Sequence, residues 1–240
     1  MYKRHTRILV LAVVALASAM AAHGLAQGQQ PPKIKVPESG VPQVITIEGA
    51  FVRAAYNKEG YVILGFRLAN TSVGEPWLLL AVGLTLSGNV PNYTLTRGAI
   101  SLDTPDGKNV PLPSNEEFQK ANLQALEMRK KVTRDSINYF PPMASQPCRI
   151  EFFAELDLVG DQTKSWDQVE MSSRRGCLGH LYFPVPGGIK YGQYWLNVKF
   201  EKSLIRVPFR ILTKDEEKLL GKNFKSIQKQ VEEAFAPPKK

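Results

Sequence analysis

The sequence predicts a mainly β protein, an antiparallel β-sandwich with one inserted helix and one C-terminal amphipathic helix. Three observations predict it. About nine short runs rich in β-branched and aromatic residues are separated by Gly, Pro and Asx turn signals. Near the C-terminus the alternation of apolar and polar residues is strict, with the period of two that a half-buried strand shows. Helical signals open two stretches, each beginning with a capping box.

Taken in order, Val44 to Ala55 reads as a strand or bulged strand, with Gly49 as the candidate bulge. Asn57-Lys58-Glu59-Gly60 supplies turn chemistry, so the next strand, Tyr61 to Asn70, returns as a hairpin. Trp77 to Leu86 is apolar throughout, which fits a strand buried on both faces. Tyr93 to Leu102 and Asn109 to Leu112 flank the turn Thr104-Pro105-Asp106-Gly107. The inserted helix begins at Ser114, with Glu117 as its box partner, and runs to about Lys131. Phe118, Ala121, Ala125 and Met128 would share its apolar face. Cys148 to Leu156 and His180 to Val185 read as further strands, and Gly187-Gly188 and Tyr191-Gly192 as hairpin punctuation.

The closing strands are the clearest. Tyr194, Leu196, Val198 and Phe200 alternate with Trp195, Asn197, Lys199 and Glu201. After a short turn Ile205, Val207, Phe209 and Ile211 alternate with Arg206, Pro208 and Arg210. Pro208 cannot donate to a ladder and moves its strand to an edge. The last helix opens at Thr213, with Glu216 as box partner, and stops before Pro237-Pro238. Leu220, Phe224, Ile227, Val231 and Ala234 make a stripe for docking on the sandwich or on a partner. The segment Gly192-Gln193-Tyr194-Trp195-Leu196-Asn197-Val198 resembles the closing strands of exported immunoglobulin-like domains. That resemblance implies an immunoglobulin-like sandwich and no activity, since such domains host unrelated roles.

Residues 1–26 have the form of an export signal. Lys3, Arg4 and Arg7 precede the uncharged run Ile8 to Ala22, and Gly24-Leu25-Ala26 presents small residues for cleavage. The run is shorter than the roughly 20 residues a membrane-crossing helix needs. Residues 27–43 are a Pro/Gln-rich linker, 44–212 the β domain with its helical insertion at about 114–131, and 213–240 the C-terminal helix and tail. Loss of the signal takes the formal charge from +9 to about +6. A moderate positive surplus suits acidic partners without choosing among them. The mature chain is expected in the periplasm or outside the cell, with no transmembrane segment and no role in nucleic-acid binding.

Cys148 and Cys177 are the only cysteines. In an oxidising compartment an even pair reads as one disulfide. Of three histidines, His5 and His23 leave with the signal, so His180 alone remains. A multi-histidine metal site within one chain is thereby excluded, and no cofactor is expected. No G-x-S-x-G elbow accompanies His180, whose plainer role is a strand histidine with its ring hydrogen-bonded to backbone. Paired carboxylates could still serve glycan hydrolysis, and Glu151, Glu155 and Asp157 share parity on one expected strand. No phosphate-binding or dinucleotide glycine motif is present.

Positive clusters remain. Arg129, Lys130, Lys131 and Arg134 follow the first helix, and Arg174 and Arg175 precede Cys177. Together they are the candidate anion-binding residues. The expectation is an exported, non-catalytic envelope protein that works by binding or structural interaction. Its partner would be an anionic envelope component, or a protein met through the C-terminal helix. The alternatives are a glycan hydrolase and a subunit of an envelope assembly.

Overall fold

The computed structural model describes residues 43–153 and 165–235. The expected signal and nearly all of the linker fall outside them. The described residues are mainly β, in three open sheets. Six strands form the largest, in the order β1 (Val44–Gly49), β2 (Val52–Tyr56), β3 (Gly60–Gly65), β4 (Trp77–Leu86), β10 (Arg175–Pro184) and β8 (Gln146–Ile150). Four form the second, in the order β12 (Leu204–Ile211), β11 (Gly192–Lys199), β6 (Ile100–Asp103) and β7 (Asn109–Pro111). A small third sheet pairs β5 (Tyr93–Thr96) with β9 (Gln168–Met171).

The first two sheets share one core. Val62, Leu64, Leu78, Leu80 and Leu84 from the six-stranded sheet are fully buried with Leu196, Val198, Ile205 and Val207 from the four-stranded one. The alternation along β11 and β12 is what selects these side chains, because residues two apart face the same way. Pro208 pairs with Trp195 on β12, the edge strand, where its missing N–H costs no ladder bond. The turns at one end of the two sheets are tied by Glu59, which is buried. Its carboxylate accepts from Lys202 N (2.9 and 3.1 Å) and Ser203 Oγ (2.6 Å).

Four strand expectations change. Val44 to Ala55 is two strands, β1 and β2, with a register shift between Ile47 and Gly49. The strand from Tyr61 stops at Gly65, and Arg67–Asn70 turns into a short helix, α1. Leu68 and Ala69 are good helix formers, and the hydroxyls of Thr71 and Ser72 close the turn on the Leu68 carbonyl (3.0 and 2.8 Å). Tyr93 to Leu102 is broken by a 3-10 turn at Arg97–Ala99. Lastly, the sheet is mixed and not wholly antiparallel, for β8 runs parallel to β10. Periodicity reports which residues face inward, and says nothing of a neighbour's direction.

The inserted helix also departs from expectation. The box forms, with Glu117 N donating to Ser114 Oγ and Ser114 N to Glu117 Oε2. However, the helix divides into α2 (Asn115–Lys120) and α3 (Gln124–Val132). Phe118 and Leu123 are five residues apart and would lie nearly opposite each other on a straight helix. The break, with Ala121 at ψ 138°, lets Phe118, Leu123 and Leu126 all bury. Met128, expected on the apolar face, is exposed.

These helices and the irregular residues 133–145 cover the outward face of the six-stranded sheet. Phe118 packs on Tyr182 of β10, ring centroids 4.9 Å apart. Phe140 lies so close over Gly83 and Gly176 that a Cβ on either would stand 2.8 Å from its ring. Ile137 and Phe140 close over Val52, Ala54 and Ile63. The last helix, α4 (Lys214–Phe235), opens on the Thr213–Glu216 box and packs along β1. Leu220 and Val231 are buried, and Gln228 Nε2 donates to Ile47 O at 2.8 Å. Its stripe is used, at least in part, by its own domain.

Cys148 and Cys177 form a disulfide. They are register partners of the parallel pair, so the bridge fastens the edge strand β8. A disulfide accords with an oxidising compartment. Among the described residues no helix is long and apolar enough to cross a membrane.

On β6 the Asp103 carboxylate meets Arg206 Nη2 at 2.8 Å and Asn109 Nδ2 at 2.7 Å. Burial pushes its titration up, but hydrogen bonds from Asn109, Asn197 and Arg206 outweigh this and hold it below the usual carboxylate value. Such a depressed group contributes fully above the unfolded value, about 3.9, and the contribution is lost as pH falls through the lower folded value. Asp103→Asn is therefore expected to flatten the acid limb of stability. Denaturation followed from about pH 6 to about pH 2 checks this, and an unchanged slope would contradict it.

Candidate functional site

A cavity of about 440 Å³ opens on the outward face of the six-stranded sheet, beneath α3 and the start of the irregular segment. Strand parity places its floor. On β4, Leu78, Leu80 and Val82 turn to the core, which leaves Leu79 and Ala81 facing outward. On β10, Leu181 and Phe183 turn inward and Leu178 and His180 outward. Leu68 from α1 and Ile137 from the irregular segment complete the apolar lining. Small pockets of this size suit a small-molecule ligand.

The charged wall comes from α3 and the residues just after it. Glu127, Lys130, Lys131, Arg134 and Asp135 all line the cavity. Three of these charges are compensated locally. Glu127 is buried, accepts from the Tyr182 hydroxyl, and pairs with Lys130 Nζ at 2.5 Å. Lys130 Nζ also donates to the Tyr182 hydroxyl at 3.1 Å. Asp135 accepts from Arg67 N (2.9 Å) and pairs with Arg67 Nε (3.3 Å). Burial raises the Asp135 carboxyl above its usual value, and the Arg67 N–H and guanidinium offset this only in part. Gly65 permits that placement, since a Cβ there would stand 2.6 Å from Asp135 Cβ.

Lys131 and Arg134 are both exposed, and no ion pair among the described residues engages either. With Glu127 and Asp135 already matched, these two cations leave the described lining of the cavity with a net positive charge. His180 lies on the floor, opposite Ala81 in the ladder.

The six candidate cations therefore do not act as one patch. Lys130, Lys131 and Arg134 line the cavity. Arg129 points away and pairs with Glu75 on the loop after α1. Arg174 and Arg175 lie at the start of β10, outside the lining. Arg175 pairs with Glu170 at 2.9 Å, and the Arg174 carbonyl accepts from Gln146 N. Successive residues on a short helix point in different directions, so a run of cations is divided among different neighbours.

Of the acids considered for hydrolysis, Glu151 is exposed, while Glu155 and Asp157 lie outside the described residues. Among the described residues no cluster of three or more His, Cys, Asp or Glu is disposed to hold a metal ion. Residues that sequence reasoning missed are Glu127, Asp135, Arg67 and Tyr182. Glu127 and Lys130 carried a signal, the three-residue spacing of a helical ion pair. Asp135 carried none, because the segment around it has no period.

Comparison of the chain with family models, curated proteins and solved structures finds no match in any of the three.

Proposed function

We propose that this is an exported, non-catalytic protein of the cell envelope, built on an immunoglobulin-like sandwich, whose cavity binds an anionic envelope component. The observation that carries the reading is the pair Lys131 and Arg134, which no ion pair among the described residues engages, at a cavity whose other described charges are matched. The disulfide and the signal-like N-terminus support export. An acidic group seated between the two cations would gain charge-assisted hydrogen bonds, partly shielded from water by α3 and the sheet face.

The test is retention on an anionic polysaccharide matrix and on vesicles containing anionic phospholipid. Lys131→Ser/Arg134→Ser is expected to weaken binding by about threefold to thirtyfold, the range for two solvent-accessible ion pairs. Added salt should shrink the difference, because exposed charges are screened. Arg174→Ser/Arg175→Ser, which alters cations outside the cavity, should bind like the parent. Equal retention of all three proteins would remove the reading.

A further inference from the structure

The cavity has two unlike halves. Its cations sit at the end of α3 and just beyond, while Leu79, Ala81 and Leu178 on the floor and Ile137 from the covering segment are apolar. Leu178 is 38% exposed although its strand, β10, is flanked by β4 and β8, so the fold leaves this side chain uncovered. Val132, between the lining residues Lys131 and Thr133, is 83% exposed, and Met128, one turn before it, 56%. A bare inorganic anion would satisfy the cations and leave this apolar surface in water. A purely apolar molecule would cover the floor and leave the cations unused.

We propose that the cavity takes an amphiphilic anion, with a carboxylate or phosphate head against Lys131 and Arg134 and a compact apolar body over Leu79, Ala81, Ile137 and Leu178. The proposal rests on the reading above and adds the chemical class of ligand. The head supplies one or two negative charges for Lys131 and Arg134, the two lining cations that no ion pair among the described residues engages. The body covers Leu178, which the fold leaves exposed, together with the half-buried Ala81 and Ile137.

The probe is a series of straight-chain carboxylates from acetate to decanoate, titrated into the folded protein below their self-association concentrations, beside octanol as the uncharged counterpart. Affinity is expected to climb by about fourfold per methylene at first, the factor for burying one such group, and to level off once the cavity is filled. Octanol should bind more weakly than octanoate, and Lys131→Ser/Arg134→Ser should erase that difference. Leu178→Gln, at an exposed position where folding tolerates a polar group, should flatten the gain with chain length. Displacement from anionic vesicles by octanoate would identify a lipid head as the source of the anion. Vesicle binding indifferent to octanoate would identify a free amphiphile.

A series with no dependence on chain length, or equal binding of octanol and octanoate, would overturn the proposal. If retention on the anionic matrix still required Lys131 and Arg134 in that case, the anion-binding reading would stand and only the ligand class would fall. If retention ignored those residues, the reading itself would fail.

Discussion

Replacing both cysteines, Cys148→Ala/Cys177→Ala, is expected to remove about 3–4 kcal/mol of unfolding free energy. The two residues are 29 apart in sequence, and the loss of loop-closure entropy from the unfolded chain for a loop of that length has this size. Folded-state tethering acts in the same direction. β8 is an edge strand, paired among the described residues with β10 alone. Gln146, Pro147 and Arg149 are exposed, so the strand buries little that would hold it in place. Without the bridge its backbone amides should exchange faster than those of β4, which has partners on both sides. Chemical denaturation of the oxidised parent and the double variant measures the first effect, and hydrogen exchange the second. A loss below about 1 kcal/mol would mean that the parallel ladder holds β8 unaided.

Much of the strand pattern was legible in the sequence because strands with two unlike faces advertise themselves. Tyr194, Leu196 and Val198 are fully buried as the alternation predicts, but Trp195 and Asn197 on the opposite face are buried too, and Lys199 alone of β11 is exposed. Pro208 marked an edge because its chemistry forbids one ladder bond. Both capping boxes formed because they depend on residues three apart and on nothing distant. Strand direction was illegible for the opposite reason. The parallel pairing of β8 with β10 is a property of how distant segments meet, and the same side-chain pattern serves either direction.

The site was legible in part. Lys130, Lys131 and Arg134 were visible as a positive run, but their fates depend on partners far along the chain. Tyr182 stands 52 residues from Lys130, and Arg67 stands 68 from Asp135. The cavity roof comes from residues 133–145, a stretch with no period from which a face could be read. Close approach over the glycines of the sheet, the Asp135–Arg67 contacts and the packing of Ile137 and Phe140 place that stretch, and these depend on segments distant in sequence. The buried Asn70 makes the same point. Asn70-Thr71-Ser72 has the form of a glycosylation sequon, yet the Asn70 side-chain Oδ1 accepts from Leu212 N at 2.6 Å inside the fold.

Gly179→Ala is expected to cost about 2–3 kcal/mol, a large penalty for one methyl group. Gly179 faces Ile150 across the parallel pair. An added Cβ would stand 2.5 Å from the Ile150 carbonyl oxygen and 2.6 Å from its Cβ. A backbone carbonyl cannot rotate away as a side-chain tip can, so relief requires β8 to shift as a unit. The disulfide opposes that shift, because Cys148 and Cys177 lie two residues before Ile150 and Gly179 on the same two strands. The two changes should therefore couple. In the Cys148→Ala/Cys177→Ala background β8 is free to move outward, and Gly179→Ala should cost less by about 1–2 kcal/mol, the size of coupling found between contacting sites. Gly98→Ala, where an added Cβ has nothing within 4 Å, serves as the control and should change stability by no more than about 0.5 kcal/mol. Additive costs in the double-mutant cycle would show that the methyl group is resisted by the whole sheet and not by a pinned edge strand.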